Sequence, residues 1–138
     1  MRRFASKDSK RDFYILYTLV FGVIAGFIYY QFAGNGKSLV WSHDGIPQHL
    51  NSLAYYGRYL REVLHTIFVE HKLELPMWDM NIGYGSDILT TLHYYVIGDP
   101  LTLLSVFVPA DKTEVLYEVL IFLRIYLAGI SLVFLFLS

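Results

Sequence analysis

The sequence predicts an all-α membrane protein in which two transmembrane helices flank an external loop of amphipathic and interfacial helices. Two long apolar runs, residues 13–33 and 113–138, carry this prediction together with the composition. Hydrophobic residues make up 55% of the 138 residues and charged residues 17%, against about 45–50% and about 25% in soluble domains. A chain this short cannot enclose that excess in one core, so we expect lipid to cover it.

The first apolar run, residues 13–33, reaches roughly 30 Å as a helix, which is the thickness of the bilayer hydrocarbon. The segment before it, residues 1–12, is basic: it contains Arg2, Arg3, Lys7, Lys10 and Arg11 against Asp8 and Asp12. The positive-inside rule therefore places residues 1–12 in the cytoplasm and the following loop outside. A cleaved signal peptide is the alternative, but Gln31-Phe32-Ala33 fits its small-x-small cleavage site poorly. We expect an uncleaved signal anchor.

The loop, residues 34–112, is more polar and contains all four prolines of the sequence. Apolar residues recur at the 3.6-residue period of an amphipathic helix over residues 47–75. Charged residues such as Arg58 and Arg61 mostly occupy the other face. Pro76 would end this helix.

Two shorter helices are predicted later in the loop. Ser86 can cap the first, over residues 86–96, which follows a glycine-bearing turn. Asp99 and Pro100 suit the cap and first position of the second, over residues 99–108. The second is too short to cross a bilayer, so we expect it to lie in the head-group boundary.

The second apolar run, residues 113–138, predicts a transmembrane helix that ends without a polar or basic flank. A spanning segment normally has such a flank, so we expect a truncated helix and a longer multipass protein. Arg124 lies roughly 15 Å into this run, where an ionisable residue is a functional hypothesis. It either contacts an anionic lipid phosphate, or snorkels outward or pairs with a carboxylate of a later helix.

Composition and motif spacing exclude several functional classes. Cysteine is absent, so neither a disulfide nor thiol chemistry is available. The net charge of −1 argues against nucleic acid as a partner, because binding a phosphate backbone needs a basic surface. The five histidines show no His-Glu-x-x-His or similar ligand spacing. We therefore assign no metal ligands.

Asp44 is the loop carboxylate best placed for chemistry, because it follows the first span directly and would face a membrane-bound substrate. It can accept a proton from an attacking hydroxyl, or bind a divalent metal that steadies a phosphate leaving group. The alternative is a helix cap, since Asp is a favoured residue at that position.

Five motifs follow one another at characteristic spacings: Asp44-Gly45-Ile46-Pro47-Gln48, Asn81-Ile82-Gly83-Tyr84-Gly85, Tyr94-Tyr95, Gly98-Asp99-Pro100-Leu101 and Leu127-Ala128-Gly129. With a basic start and two spans, this order resembles the N-terminal part of the YfhO family of bacterial multipass membrane proteins. The resemblance covers essentially the whole chain. It rests on the order of the motifs rather than on any one of them.

That family resembles the GT-C class of integral-membrane glycosyltransferases, which move sugars from polyprenyl-phosphate donors to cell-envelope polymers or lipids outside the membrane. The resemblance implies that Asp44 matches the acidic residue after the first span of that class. It also implies that Arg124 matches a basic residue common in the second span. We add Gln48, Asp87 and Asp99 as candidate substrate-binding residues, although both aspartates are also explained as helix caps.

We therefore expect the full-length protein to be a glycosyltransferase and these 138 residues alone to be inactive. The expected partners are the lipid bilayer, a polyprenyl-phosphate-linked sugar and the remaining transmembrane helices. The competing class is a non-enzymatic multipass protein, either a sugar-lipid transporter or an envelope assembly factor. Sugar transfer by the purified full-length protein, together with dependence on the loop carboxylate, distinguishes the two classes.

Overall fold

The computed structural model describes residues 7–137, so residues 1–6 of the predicted basic segment and Ser138 lie outside the described residues. The elements, in chain order, are α1 (Lys7–Ala33), a π-helical turn (Gly45–Leu50), α2 (Asn51–Phe68), β1 (Trp78–Asp79), β2 (Ser86–Asp87), α3 (Ile88–Leu92), a second π-helical turn (His93–Ile97), a 3-10 helix (Pro100–Phe107), a 3-10 turn (Ala110–Lys112) and α4 (Thr113–Leu137). The predicted all-α class is confirmed, with one two-stranded antiparallel hairpin added.

Two helices are long and apolar enough to cross a membrane, over Lys10–Ala33 and Ala110–Leu137. Protein covers almost none of their most apolar stretches. Val23, for example, is 74% exposed and Phe136 is 80% exposed. Apolar surface of this extent suits burial in lipid rather than contact with water, so these helices are candidate transmembrane segments.

The chain divides into two compact units, and the first contains the N-terminal residues to Leu39 and the part of α4 from Ile121 onward. In this unit α1 packs on α4 through aromatic rings. Tyr17 stacks on Tyr126 with ring centroids 5.6 Å apart, and its hydroxyl donates to the Tyr126 carbonyl at 3.0 Å. A Cβ on Gly129 would overlap the Tyr17 ring and hydroxyl. Glycine at this position therefore makes the close approach possible.

The second unit, Val40–Leu120, contains the predicted loop from residue 40 onward and has its own core. Its largest fully buried side chains are Leu53, Ile88, Leu120 and Val96. The amphipathic helix α2 packs on the 3-10 helix, where a Cβ on Gly57 would lie 2.6 Å from the Ser105 carbonyl oxygen. A real side chain cannot approach a backbone oxygen so closely, so Gly57 sets the distance between these two elements.

The helix predicted over residues 47–75 is shorter than expected: α2 ends at Phe68, after the separate turn Gly45–Leu50. The Lys72 amide donates to the Thr66 carbonyl at 3.1 Å, and His71 adopts a left-handed φ of 56°. This turn ends the helix, so the helix does not extend to Pro76 as predicted. The residues that follow, Lys72-Leu73-Glu74-Leu75, belong to no helix or strand, and their apolar residues do not follow the helical period.

The helix predicted over residues 86–96 begins at Ile88, because Ser86 and Asp87 form β2. The predicted cap at Ser86 is wrong: Asp87 caps α3 by accepting from the Thr90 amide. The Ser86 hydroxyl instead shares a hydrogen bond with Thr91 Oγ1 at 2.6 Å. Regular α-helix ends at Leu92, and the chain continues as the π-helical turn His93–Ile97.

The helix predicted over residues 99–108 is the 3-10 helix Pro100–Phe107. Asp99 caps it by accepting from the Leu101 amide at 2.9 Å, and Pro100 occupies its first turn as predicted.

Candidate functional site

Asp44 lies at the start of the π-helical turn Gly45–Leu50. Its main-chain oxygen accepts from the amides of Gln48 and His49, each at 3.2 Å. Its side chain makes no capping hydrogen bond. The alternative that the sequence offered, a carboxylate used as a helix cap, is therefore wrong, and the carboxylate of Asp44 is exposed.

The carboxylate of Asp44 is oriented by a relay of side chains. Gln48 Nε2 donates to Asp44 Oδ1 at 3.1 Å, and the Tyr95 hydroxyl donates to Gln48 Oε1 at 3.1 Å. The second bond fixes which way the Gln48 amide faces, because its oxygen accepts from Tyr95 and its nitrogen is left to donate. We call Asp44, Gln48 and Tyr95 the Asp44 cluster.

Aromatic rings surround the Asp44 cluster. His49 meets Tyr95 edge-on at a centroid distance of 5.3 Å, and Tyr94 meets Tyr95 edge-on at 5.1 Å. These contacts bring together two of the motifs singled out in the sequence, the Asp44 motif and the tyrosine pair. Tyr94 is 74% exposed, so the cluster offers an aromatic surface beside an accessible carboxylate.

The backbone at Gly45 allows this arrangement. Gly45 is buried, and a Cβ there would lie 3.3 Å from both the Trp41 Cβ and the Val40 Cγ1. The Ile46 amide donates to the Trp41 carbonyl at 3.0 Å. The chain therefore folds back tightly between Trp41 and Ile46, and that turn presents Asp44 to solvent.

Two other candidate residues, Asp87 and Asp99, act as helix caps. Asp87 Oδ1 accepts from the Thr90 hydroxyl at 2.6 Å and from the Thr90 amide at 2.7 Å. Both bonds lower the pKa of the Asp87 carboxyl, and the bond from the hydroxyl has the larger effect. Asp99 caps the 3-10 helix Pro100–Phe107. Their substrate-binding role stays a prediction.

Arg124 lies on the part of α4 that packs on α1, two residues before Tyr126. Its contact with a lipid phosphate stays a prediction. Within residues 10–137, whose side chains the structure describes, no three His, Asp or Glu side chains form a group able to hold a metal ion. A divalent metal at Asp44 likewise stays a prediction.

A second polar cluster, which the sequence did not indicate, lies between α2 and the hairpin. The Tyr55 hydroxyl donates to Asp79 Oδ2 at 2.5 Å, and Asp79 Oδ1 accepts from the main-chain and side-chain nitrogens of Asn81, each at 2.8 Å. The Arg58 guanidinium lies over the Tyr55 ring, 5.3 Å from its centroid. A Tyr-x-x-Arg spacing on one helix face was the available signal, but nothing in the sequence paired it with Asp79.

Hydrogen bonds hold the pKa of Asp79 below its ordinary value of 3.8. The bond from the Tyr55 hydroxyl has the largest effect, and the bond from the Asn81 amide has the next largest. The pKa of Tyr55 is raised above its ordinary value of 10.0, mainly by burial and next by the hydrogen bond to Asp79. The Tyr55 hydroxyl therefore remains a donor and Asp79 an acceptor at neutral pH. This pair fixes the hairpin on α2.

Acid is expected to loosen the hairpin. Because the pKa of Asp79 is lower in the folded state, its contribution to stability is complete above the ordinary value of 3.8 and is lost as the pH falls through the folded value. Hydrogen exchange of residues 78–87 in the full-length protein, corrected for intrinsic rates, should show protection that is constant near neutral pH and falls in acid. In Tyr55→Phe the fall should be smaller, because without the Tyr55 bond the folded pKa of Asp79 lies closer to 3.8. An identical pH profile for both proteins would contradict this prediction.

The model of one protein family, described as "Bacterial membrane protein YfhO", matches residues 16–138. The matched range begins inside α1, includes the Asp44 cluster and the hairpin, and reaches the end of α4. No curated protein and no solved structure matches the chain.

Proposed function

The chain belongs to the YfhO family of bacterial membrane proteins, and on that premise we propose that it is the N-terminal part of an integral-membrane glycosyltransferase. The full-length enzyme transfers a sugar from a polyprenyl-phosphate donor to a cell-envelope polymer or lipid. The observation that carries this proposal is the Asp44 carboxylate, which is exposed, caps no helix and is oriented by Gln48.

The proposed topology places the N-terminus in the cytoplasm and residues 34–112 on the outer side of the membrane. The five basic residues before the first span support this orientation through the positive-inside rule. A lipid-linked donor holds its phosphate at the membrane interface, so a loop that follows directly on the first span can reach the reacting sugar. Asp44 is in that position.

In the proposed reaction Asp44 is the general base. A hydroxyl oxygen of the acceptor attacks C1 of the donor sugar, and the hydroxyl proton passes to the Asp44 carboxylate. The bond between C1 and the phosphate oxygen breaks, and polyprenyl phosphate leaves with the bonding electrons. Gln48 orients the carboxylate for this step, since its amide is fixed by Tyr95. A single displacement of this kind inverts the configuration at C1.

Arg124 is proposed to bind the donor phosphate. A guanidinium forms paired hydrogen bonds with phosphate oxygens and keeps its charge at any pH of interest. An ionisable residue within a transmembrane segment is by default a candidate functional residue.

The competing function is a sugar-lipid transporter or an assembly factor. Exposed aromatic rings and an intramembrane arginine would serve sugar-lipid recognition without transfer. The two functions differ in covalent outcome, because a transporter leaves the bond between sugar and phosphate intact.

The test uses right-side-out membrane vesicles that contain the full-length protein and a polyprenyl-phosphate donor with a radiolabelled sugar. A membrane-impermeant acceptor, an envelope polymer fraction, is added outside. We expect label to appear in the polymer, with release of polyprenyl phosphate, and only in vesicles that contain the protein. Movement of intact labelled donor between leaflets without release of polyprenyl phosphate would favour the transporter and overturn the proposal.

A further inference from the structure

The cluster around Tyr55 and Asp79 lines a groove that the proposed reaction does not use. It lies between α2 and the β1–β2 hairpin and has a volume of about 630 Å³, within the range of roughly 300–1,000 Å³ found for small-molecule sites. Its lining includes Tyr55, Arg58, Glu62, Trp78, Asp79 and Asn81. Aromatic, acidic, basic and amide groups thus converge on one concavity.

The polar groups of the groove are fixed before any ligand arrives. Tyr55 holds one oxygen of the Asp79 carboxylate, and Asn81 holds the other. The Tyr59 hydroxyl donates to the Pro76 carbonyl at 3.1 Å, which ties the segment before the hairpin to α2. A binding site of this kind loses little side-chain freedom when it is filled.

The glycine turn explains how an aromatic ring comes to lie in the groove. Trp78 is 61% exposed, and its indole nitrogen donates to Met80 Sδ at 3.3 Å. Gly85 has a φ of +103°, and a Cβ there would lie 2.9 Å from Met80 Sδ and 3.1 Å from the indole nitrogen. This φ favours glycine, and any other side chain there would also have to displace Met80 or Trp78. The turn therefore packs against the indole while Trp78 stays largely exposed.

We infer that this groove binds the pyranose ring of a saccharide. A pyranose presents carbon-bound hydrogens on its faces and hydroxyl groups around its edge. The face suits the electron-rich face of the Trp78 indole. The hydroxyls find a carboxylate acceptor in Asp79 and amide and guanidinium donors in Asn81 and Arg58, the combination of donors and acceptors that paired hydroxyls require.

This inference does not depend on Asp44 acting as a base, since a sugar-lipid transporter would need the same recognition. The test uses the full-length protein in detergent micelles. The probes are the methyl glycosides of glucose, galactose, mannose and N-acetylglucosamine, and binding is read by saturation-transfer NMR. We expect at least one glycoside to bind through its ring protons.

Trp78→Ala should weaken that binding at least tenfold, whereas Trp78→Phe should retain most of it. Tyr84→Ala is the matched control, because Tyr84 lies in the same turn, is fully exposed and does not line the groove. Failure of all four glycosides to bind, or equal binding by Trp78→Ala and Tyr84→Ala, would overturn the inference. Asp44→Asn separates the two ideas, since it should slow transfer at least about 100-fold and leave glycoside binding unchanged.

Discussion

An Asp44→Asn variant of the full-length protein is expected to transfer sugar at least about 100-fold more slowly than the wild type, because a positioned general base contributes roughly 10²- to 10⁴-fold. The asparagine side chain has the same shape, and its carbonyl oxygen can still accept the hydrogen bond from Gln48. The substitution therefore removes the proton acceptor and preserves the arrangement around it. The loss should appear in kcat at unchanged protein level.

Two further variants make this result specific. Tyr95→Phe removes the bond to Gln48 but leaves the carboxylate, so transfer should fall by less than about tenfold. Arg124→Gln should raise the KM for the donor more than it lowers kcat, since a phosphate contact acts in binding. If Asp44→Asn kept more than a tenth of the wild-type activity, the role of Asp44 as general base would be contradicted. An unchanged donor KM in Arg124→Gln would dismiss the phosphate contact.

The features that the sequence predicted correctly are those that a short stretch of residues decides by itself. Both candidate membrane helices follow from long, predominantly apolar runs, since in lipid a helix must satisfy its own backbone. The start of the 3-10 helix follows from Asp99 and Pro100, which act on neighbouring backbone groups. Local chemistry of this kind does not depend on the remainder of the fold.

The features that it missed depend on contacts between distant segments. Gln48 and Tyr95 are 47 residues apart, and Tyr55 and Asp79 are 24 apart, so spacing could not pair them. Leu73 and Leu75 were included in the predicted helix, although residues 71–77 belong to no helix or strand. Asp44 was singled out from its place in the sequence, and only the structure shows that its side chain makes no capping hydrogen bond.

Arg61 shows the same limit on a helix face. The sequence placed it on the charged side of α2 with Arg58. In the fold its Nη1 donates to three main-chain oxygens, those of Ser105 at 3.0 Å, Val106 at 3.3 Å and Val108 at 2.9 Å. Carbonyls at the end of a helix carry partial negative charge and have few main-chain partners; here the Ser105 oxygen also accepts from the Val108 amide at 3.2 Å. The guanidinium supplies the three oxygens with a charged donor.

Arg61→Gln is therefore expected to lower the free energy of unfolding of the Val40–Leu120 unit by about 2–3 kcal/mol, the upper part of the range for hydrogen bonds to a charged group, because three such bonds are affected. Hydrogen exchange of α2 and of the 3-10 helix in the full-length protein measures this loss. A change of about 1.4 kcal/mol alters the opening equilibrium constant tenfold. Amides that exchange only when this unit opens should therefore exchange roughly 30-fold faster or more.

Arg58→Gln is the matched control, because it makes the same change three residues earlier on the same helix. Arg58 contacts the Tyr55 ring face, an interaction worth about 0.5–1 kcal/mol at exposed sites. In Arg58→Gln the exchange rate of α2 and of the 3-10 helix should therefore rise by less than tenfold. Equal acceleration in the two variants would contradict the role of Arg61, because Arg61 donates to the 3-10 helix carbonyls whereas Arg58 contacts the Tyr55 ring.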